Sequence, residues 1–273
     1  MTAIPRKMRV LVTGASGRIG RAFREGYRSF YSLKLTYHRS PIQSSAEEEA
    51  VPTDITDLDS VLKAMEGVEA VVHLAADPNP KAPWNSILKL NLVGTYNIFE
   101  AARRSSVKRV VFASSNHACG FSVLESDLVG PDLPTRPDSL YGVSKVFGEA
   151  LGRYYSDSFG LTVICLRIGW SPGLQDPGNL FSKVLSEEKT RASDALKGEQ
   201  RKTRGDLYPA EKLIAMWISD RDIAQVIHRS LEADLKFGIF YATSNNTPAI
   251  FDLNETRRIL GYEPQDRAED YLR

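Results

Sequence analysis

The chain reads as an α/β protein: a doubly wound parallel sheet with a small C-terminal lobe. Three observations predict this. Short apolar runs alternate with helical stretches from Met8 to Arg167, the rhythm of a parallel sheet covered by helices on both faces. The runs, such as Met8–Thr13 (MRVLVT), are continuous rather than alternating, as strands buried on both faces are. A glycine-rich turn, Gly14–Gly20 (GASGRIG), follows the first run and opens the first helix.

Met8–Thr13 is the first strand, and the helix after the turn runs to about Phe30. Leu33–His38 is the second strand, Gln43–Ala50 a polar loop and Val51–Asp54 a short third strand. Asp57 caps a helix that reaches about Met65. Ala70–Leu74 is the fourth strand, and Asn85 caps a long helix ending at Arg104. Arg109–Ala113 is the fifth strand. Ser139–Phe159 is another long helix, stopped by Gly160. Leu161–Arg167 is the sixth strand. Ser171–Ala210 then breaks the alternation with Pro, Gly and many charges. That composition fits a solvated excursion or a lid over a substrate site. Asp220–Ala233 resumes as a helix, Gly238–Thr243 as a strand and Leu253–Leu260 as a last helix.

A length of 273 residues suits one large α/β domain with a small lobe. The formal net charge of +1 gives no reason to expect nucleic acid or an anionic membrane as partner. Cys119 and Cys165 lack metal-ligand or CxxC spacing. They read as reduced thiols of a cytoplasmic protein without a metal site. Met1–Val10 does not read as a signal peptide, and no apolar run is long enough to span a bilayer.

The glycine turn builds a seat for a dinucleotide pyrophosphate. Gly14 permits the tight turn, Gly17 lets backbone N–H groups approach the phosphates, and Gly20 lets helix and strand pack closely. The helix N-terminus adds unpaired N–H groups and a positive dipole end. The sheet is therefore expected to be Rossmann-type. Residues 1–169 would form the NAD(P)-binding domain, completed by about 219–243, with 170–218 and 244–273 as the substrate-binding region. A chain that prefers NAD ends its second strand with an acid for the ribose hydroxyl. Here that stretch is Thr36-Tyr37-His38-Arg39. Arg39 could pair with a 2′-phosphate, helped by Arg18, so NADP is favoured over NAD. Asp54 is placed either to accept from the adenine amino group or to close its own turn as an Asx residue.

Tyr141 and Lys145, four residues apart in LYGVSK, share one face of the Ser139–Phe159 helix. A phenol of ordinary pKa is a poor base near neutrality. The ammonium and an oxidised nicotinamide would both favour the phenolate, which can take a hydroxyl proton while hydride leaves. Ser115, just past the fifth strand, can hydrogen-bond the same oxygen at the sheet edge where α/β proteins bind ligands.

Together these motifs resemble the extended short-chain dehydrogenase/reductase superfamily, in its NAD-dependent epimerase/dehydratase branch. GASGRIG, Asp54–Asp57 (DITD), His73–Ala76 (HLAA), Asn91, Ser114–Asn116 (SSN), YGVSK and Leu166–Gly169 (LRIG) occur in the family's order across nearly the whole chain. FASSNHACGF and RPDSLYGVSKVFGEALGRYY resemble uronate dehydrogenases. AADPNPKAPWNSIL and AMWISDRD resemble archaeal glucose-6-phosphate dehydrogenases. The resemblance implies oxidation of a sugar hemiacetal to a lactone, on a hexuronate or a sugar phosphate. It implies Ser115, Tyr141 and Lys145 as the catalytic triad. Gly14, Ser16, Gly17, Arg18, Ile19, Gly20, His38, Arg39, Asp54, Ile55, Leu74, Ala75, Ala76, Asn91 and Ile168 would hold the cofactor, with Tyr141 and Lys145. Gly169 would lie beside the nicotinamide, and Asn91 would support the lysine through water. Asn79, Ser115, Asn116, His117 and Lys212 would contact the sugar. It also implies a homodimer through the two long helices.

Two departures bear on the substrate. Uronate dehydrogenases have an Arg five residues before the tryptophan matching Trp217, where this chain has Lys212. They also lack the long basic excursion after LRIG, which would suit a phosphate or a larger anion. His73, on a buried strand, reads as a core histidine, while Trp84 and Trp217 could stack on a sugar or simply fill core. A nucleotide-sugar epimerase or dehydratase and a non-enzymatic cofactor-binding sensor are the alternative functions.

Overall fold

The computed structural model describes residues 6–45, 47–172, 176–196 and 208–272. Parts of the Ser171–Ala210 excursion, 173–175 and 197–207, lie outside the described residues.

Seven strands form one parallel sheet, ordered β3-β2-β1-β4-β5-β6-β7. They are β1 (Arg9–Thr13), β2 (Ser32–Tyr37), β3 (Glu48–Pro52), β4 (Ala70–His73), β5 (Arg109–Ser115), β6 (Thr162–Ile168) and β7 (Phe237–Ala242). β1 pairs with both β2 and β4, so strand order reverses there and opens a crevice at the strands' carboxyl ends. On one face pack α1 (Arg18–Tyr27) and α9 (Asp220–Glu232). On the other pack α2 (Leu58–Ala64), α4 (Gly94–Arg104) and α6 (Leu140–Phe159). Two apolar cores result, one on each face, with Val10 and Val12 in the first and Leu11 and Val71 in the second. That alternation within β1 is why its run carries no polar position.

Several boundaries differ from the sequence reading. β3 begins at Glu48, inside the expected loop, because pairing with β2 outweighs its polar composition. As an edge strand it tolerates Pro52 and leaves Glu48 to pair with Arg24 at 3.0 Å. The first helix stops at Tyr27. The long helix is capped at Pro83 rather than Asn85. It starts as the turn α3 (Trp84–Ser86), continues as a π-helix over Ile87–Val93 and only then becomes α4. α6 has Ser139 as N-cap, accepting from the Gly142 N–H at 3.0 Å, and Gly160 in the left-handed region at its end. The excursion is partly ordered as α7 (Pro177–Leu196). Its Phe181 is buried against Trp217 and Trp170 in a small third core, with α8 (Ala210–Ala215) alongside. Trp217 is therefore core, and Trp84 stays half-exposed. Among the described residues no helix is long and apolar enough to cross a membrane, and no cluster of side chains could hold a metal ion.

Candidate active site

Two cavities meet at the crevice. A groove of about 370 Å³ runs over the glycine turn, and a cavity of about 660 Å³ lies beyond the ends of β5 and β6. Arg18, Ile19, Leu74, Ala76 and Pro78 line both.

The groove fits a dinucleotide. α1 begins at Gly17 with no side-chain cap and no acid in its first turn, so its leading N–H groups remain available to phosphate oxygens. Gly14 has φ +66°, and a Cβ there would stand 2.9 Å from the Ala75 nitrogen; at Gly20 it would stand 2.6 Å from the Gly14 oxygen. Any side chain would push turn, helix and strand apart. Ser16, Ile19, His38, Ile55 and Ala75 line the groove as expected of them. Asp54 lines it too, but one carboxylate oxygen accepts the Thr56 N–H at 2.9 Å and the Thr56 hydroxyl at 2.8 Å. Those bonds hold its carboxyl below the usual range. The Asx turn is thus formed, with His38 Nε2 3.8 Å from the other oxygen. Arg39 is exposed and does not line the groove. Asn91 lies outside both cavities. It is buried on the π-helix, accepting the Asp77 N–H at 2.8 Å and donating to the Ser144 hydroxyl at 3.0 Å.

Ser115, Tyr141 and Lys145 all line the larger cavity, with Asn116, His117, Ile168 and Gly169. β5 reaches Ser115 because it pairs with β6 through Ile168, two residues further than its apolar run suggested. α6 brings the other two. Lys145 Nζ donates to the Ala113 carbonyl at 2.7 Å and sits 5.3 Å from the centroid of the Tyr141 ring. Burial pushes Lys145 down to about 8, opposed by Glu149. Burial pushes Tyr141 up to about 12, against the Ser115 hydroxyl. The ammonium and an oxidised nicotinamide together are expected to favour the phenolate; among the protein's own groups, burial of the phenol is the largest influence.

Behind the triad, Ser114 donates to Glu149 at 2.6 Å, and Glu149 accepts two bonds from buried Arg167, each 2.9 Å. The forked pair holds β5, β6 and α6 in register under the site. His73 is a core residue: its Nδ1 is 2.8 Å from the Thr13 hydroxyl and its Nε2 3.3 Å from that of Thr95.

Two residues expected to contact the sugar fall outside the cavity. Lys212 Nζ reaches the carbonyls of Val123, Leu124 and Ser126 at 2.6–3.3 Å. It thereby caps the end of α5 (Gly120–Glu125), where cations are favoured. Asn79 is exposed and accepts the Lys81 N–H at 2.9 Å. Conversely, Asp138, Lys81, Trp170, Tyr208 and Leu213 line the cavity without having been singled out. Asp138 had a signal, lying three residues before Tyr141; Tyr208 had none.

Residues 10–236 match the NAD dependent epimerase/dehydratase family. The chain is 37% identical to an L-arabinose 1-dehydrogenase (NAD(P)(+)) of Haloferax volcanii, over 95% of this chain and 97% of the relative. It is 35% identical to an NAD-dependent glucose-6-phosphate dehydrogenase of the same organism, over 96% and 95%. Among solved structures it is similar to a uronate dehydrogenase from Agrobacterium tumefaciens, a mutant complexed with NAD. There the TM-score is 0.76 and the identity 32%, covering 97% of this chain and 87% of that one. The glycine cradle, the Tyr141–Lys145 pair and these likenesses agree: the chain belongs to the NAD dependent epimerase/dehydratase family.

Proposed function

We propose that this protein is an NAD(P)-dependent dehydrogenase that oxidises the anomeric hydroxyl of an anionic sugar, a hexuronate or sugar phosphate, to its lactone. The observation that carries the reading is the convergence of Ser115, Tyr141 and Lys145 on one cavity that shares lining residues with the dinucleotide groove. When bound, the oxidised nicotinamide accepts the hydride that leaves the sugar's C1. Tyr141 Oη takes the proton of the C1 hydroxyl, and Ser115 Oγ holds that oxygen by a hydrogen bond. Lys145, anchored on Ala113, presents its ammonium beside the phenolate as charge develops. With Lys212 tied to α5, Arg18 and Lys81 are, among the described residues, the Lys and Arg side chains besides Lys145 that line the cavity, and they would meet the sugar's anion. That same withdrawal of Lys212 favours a second reading, a neutral aldose. The nucleotide-sugar epimerase alternative has only distant relations behind it. NADP is our preference because no acid follows β2, although Arg39 itself does not line the groove. Residues 170–218 and 244–273 would form the sugar-binding region, and the protein would be a homodimer.

The test is a panel of uronates, hexose phosphates and neutral aldoses with NAD and NADP separately, followed by absorbance of the reduced nicotinamide. Net reduction with an acidic sugar is expected, and Tyr141→Phe should lower it about 100-fold or more while NAD(P)H still binds. Turnover without net reduction would point to epimerisation and sink the reading.

A further inference from the structure

His117 lines the larger cavity, and the atoms behind it decide which nitrogen it offers. Its Nδ1 lies 2.9 Å from both oxygens of Asp138. Burial alone would raise that carboxyl, but the bonds from His117, Tyr208 and Ser139 outweigh it and hold it below its ordinary value. An ionised carboxylate can only accept, so Nδ1 carries the proton. Among the described residues Nε2 has no hydrogen-bond partner.

Asp138 is itself held from two directions. The Ser139 hydroxyl donates to it at 2.9 Å and also caps α6, the helix that carries Tyr141 and Lys145. The Tyr208 hydroxyl donates to the other oxygen across the chain, from the segment just before α8. Gly120 makes room for the arrangement: a Cβ there would overlap the carboxylate and stand 2.6 Å from the Tyr208 hydroxyl. The Asp138 side chain is 2% exposed, so this carboxylate answers to these partners and not to solvent.

We propose that Asp138 and Tyr208 are positioning residues for sugar recognition. They fix His117 with Nδ1 protonated, so that Nε2 offers a lone pair to a hydroxyl of the bound sugar. Tyr208 thereby becomes part of sugar recognition without lining the nucleotide groove. The proposal rests on the dehydrogenase reading above for the identity of the ligand.

The test combines kinetics with a measurement that needs no substrate. Asp138→Ala should raise the sugar KM on the order of tenfold, and Tyr208→Phe several-fold, with the NADH dissociation constant unchanged in fluorescence titration. Asp138→Asn, which can still accept from Nδ1, should recover most of the loss. In a His117→Ala background Tyr208→Phe should add nothing. Independently, 15N spectra of the imidazoles, tractable with four histidines, should show His117 protonated at Nδ1 in the wild type and mixed tautomers in Asp138→Ala. Additive effects in the double variant, or an Nε2–H tautomer in the wild type, would overturn the proposal. A wild type that turns over no sugar counts against the dehydrogenase reading instead, and the nitrogen spectrum still decides the geometry. Tyr208→Phe removes one hydroxyl only, so it keeps the test open if Asp138→Ala fails to fold.

Discussion

Burial pushes the His73 imidazole down to about 3, and the Lys145 ammonium adds to the effect. The ordinary value in an unfolded chain is about 6.5. The unfolded state therefore binds the proton first, and stability is lost as pH falls from that value toward the folded one. Between pH 7 and 5 this one group should cost about 2 kcal/mol. Urea unfolding at the two pH values checks it: in His73→Gln the drop should shrink by about that amount, and an unchanged drop would mean the ring charges without penalty. That Tyr141, Lys145 and Ser115 would line one cavity was legible because their spacing reflects local geometry, one turn of helix and one strand end. Tyr208 was not, because its partner Asp138 stands 70 residues earlier. Lys212 was misplaced for the same reason: its three carbonyl partners lie on α5, and nothing in the sequence beside it names them.

α4 and α6 lie side by side on one face of the sheet, and they and the π-helix leave an unusual amount of apolar surface in water. Leu88, Val93, Tyr96, Val143 and Tyr154 are all exposed, Tyr154 at 54%. Exposed apolar side chains on neighbouring helices would suit the association surface that the proposed homodimer needs. Light scattering should give twice the chain mass of 30.4 kDa, and Tyr96→Glu with Val143→Glu should halve it. A wild-type monomer would reject the dimer. The helices' existence was plain from periodicity, but the π-segment was not, since i→i+5 bonding leaves no distinct apolar rhythm. The start of β3, before the expected Val51, hid in a similar way. Its EEAVP sequence is polar because it is an edge strand, and only its pairing with β2 makes it a strand. α7 was masked by charge; among the described residues Phe181 ties it to the third core.

At the scale of the molecule, the strand order decides where everything else goes. The reversal between β2-β1 and β4 was predictable from the alternation of elements and the position of the glycine turn, and all seven strands deliver their carboxyl ends to the same side. The long-range closure of the cavity by Trp170, Tyr208 and Leu213 was not, because it depends on how the chain after β6 returns. Groove and cavity share a partition built from Arg18, Ile19, Leu74, Ala76 and Pro78. A nucleotide laid along that partition becomes floor for whatever enters next. Binding should then follow a compulsory sequence, nucleotide first in and last out, and steady-state inhibition by reduced nucleotide should be competitive against the oxidised one alone. A random sequence in those patterns would mean the partition is a wall between two rooms. The compulsory one would make the first guest part of the second guest's house.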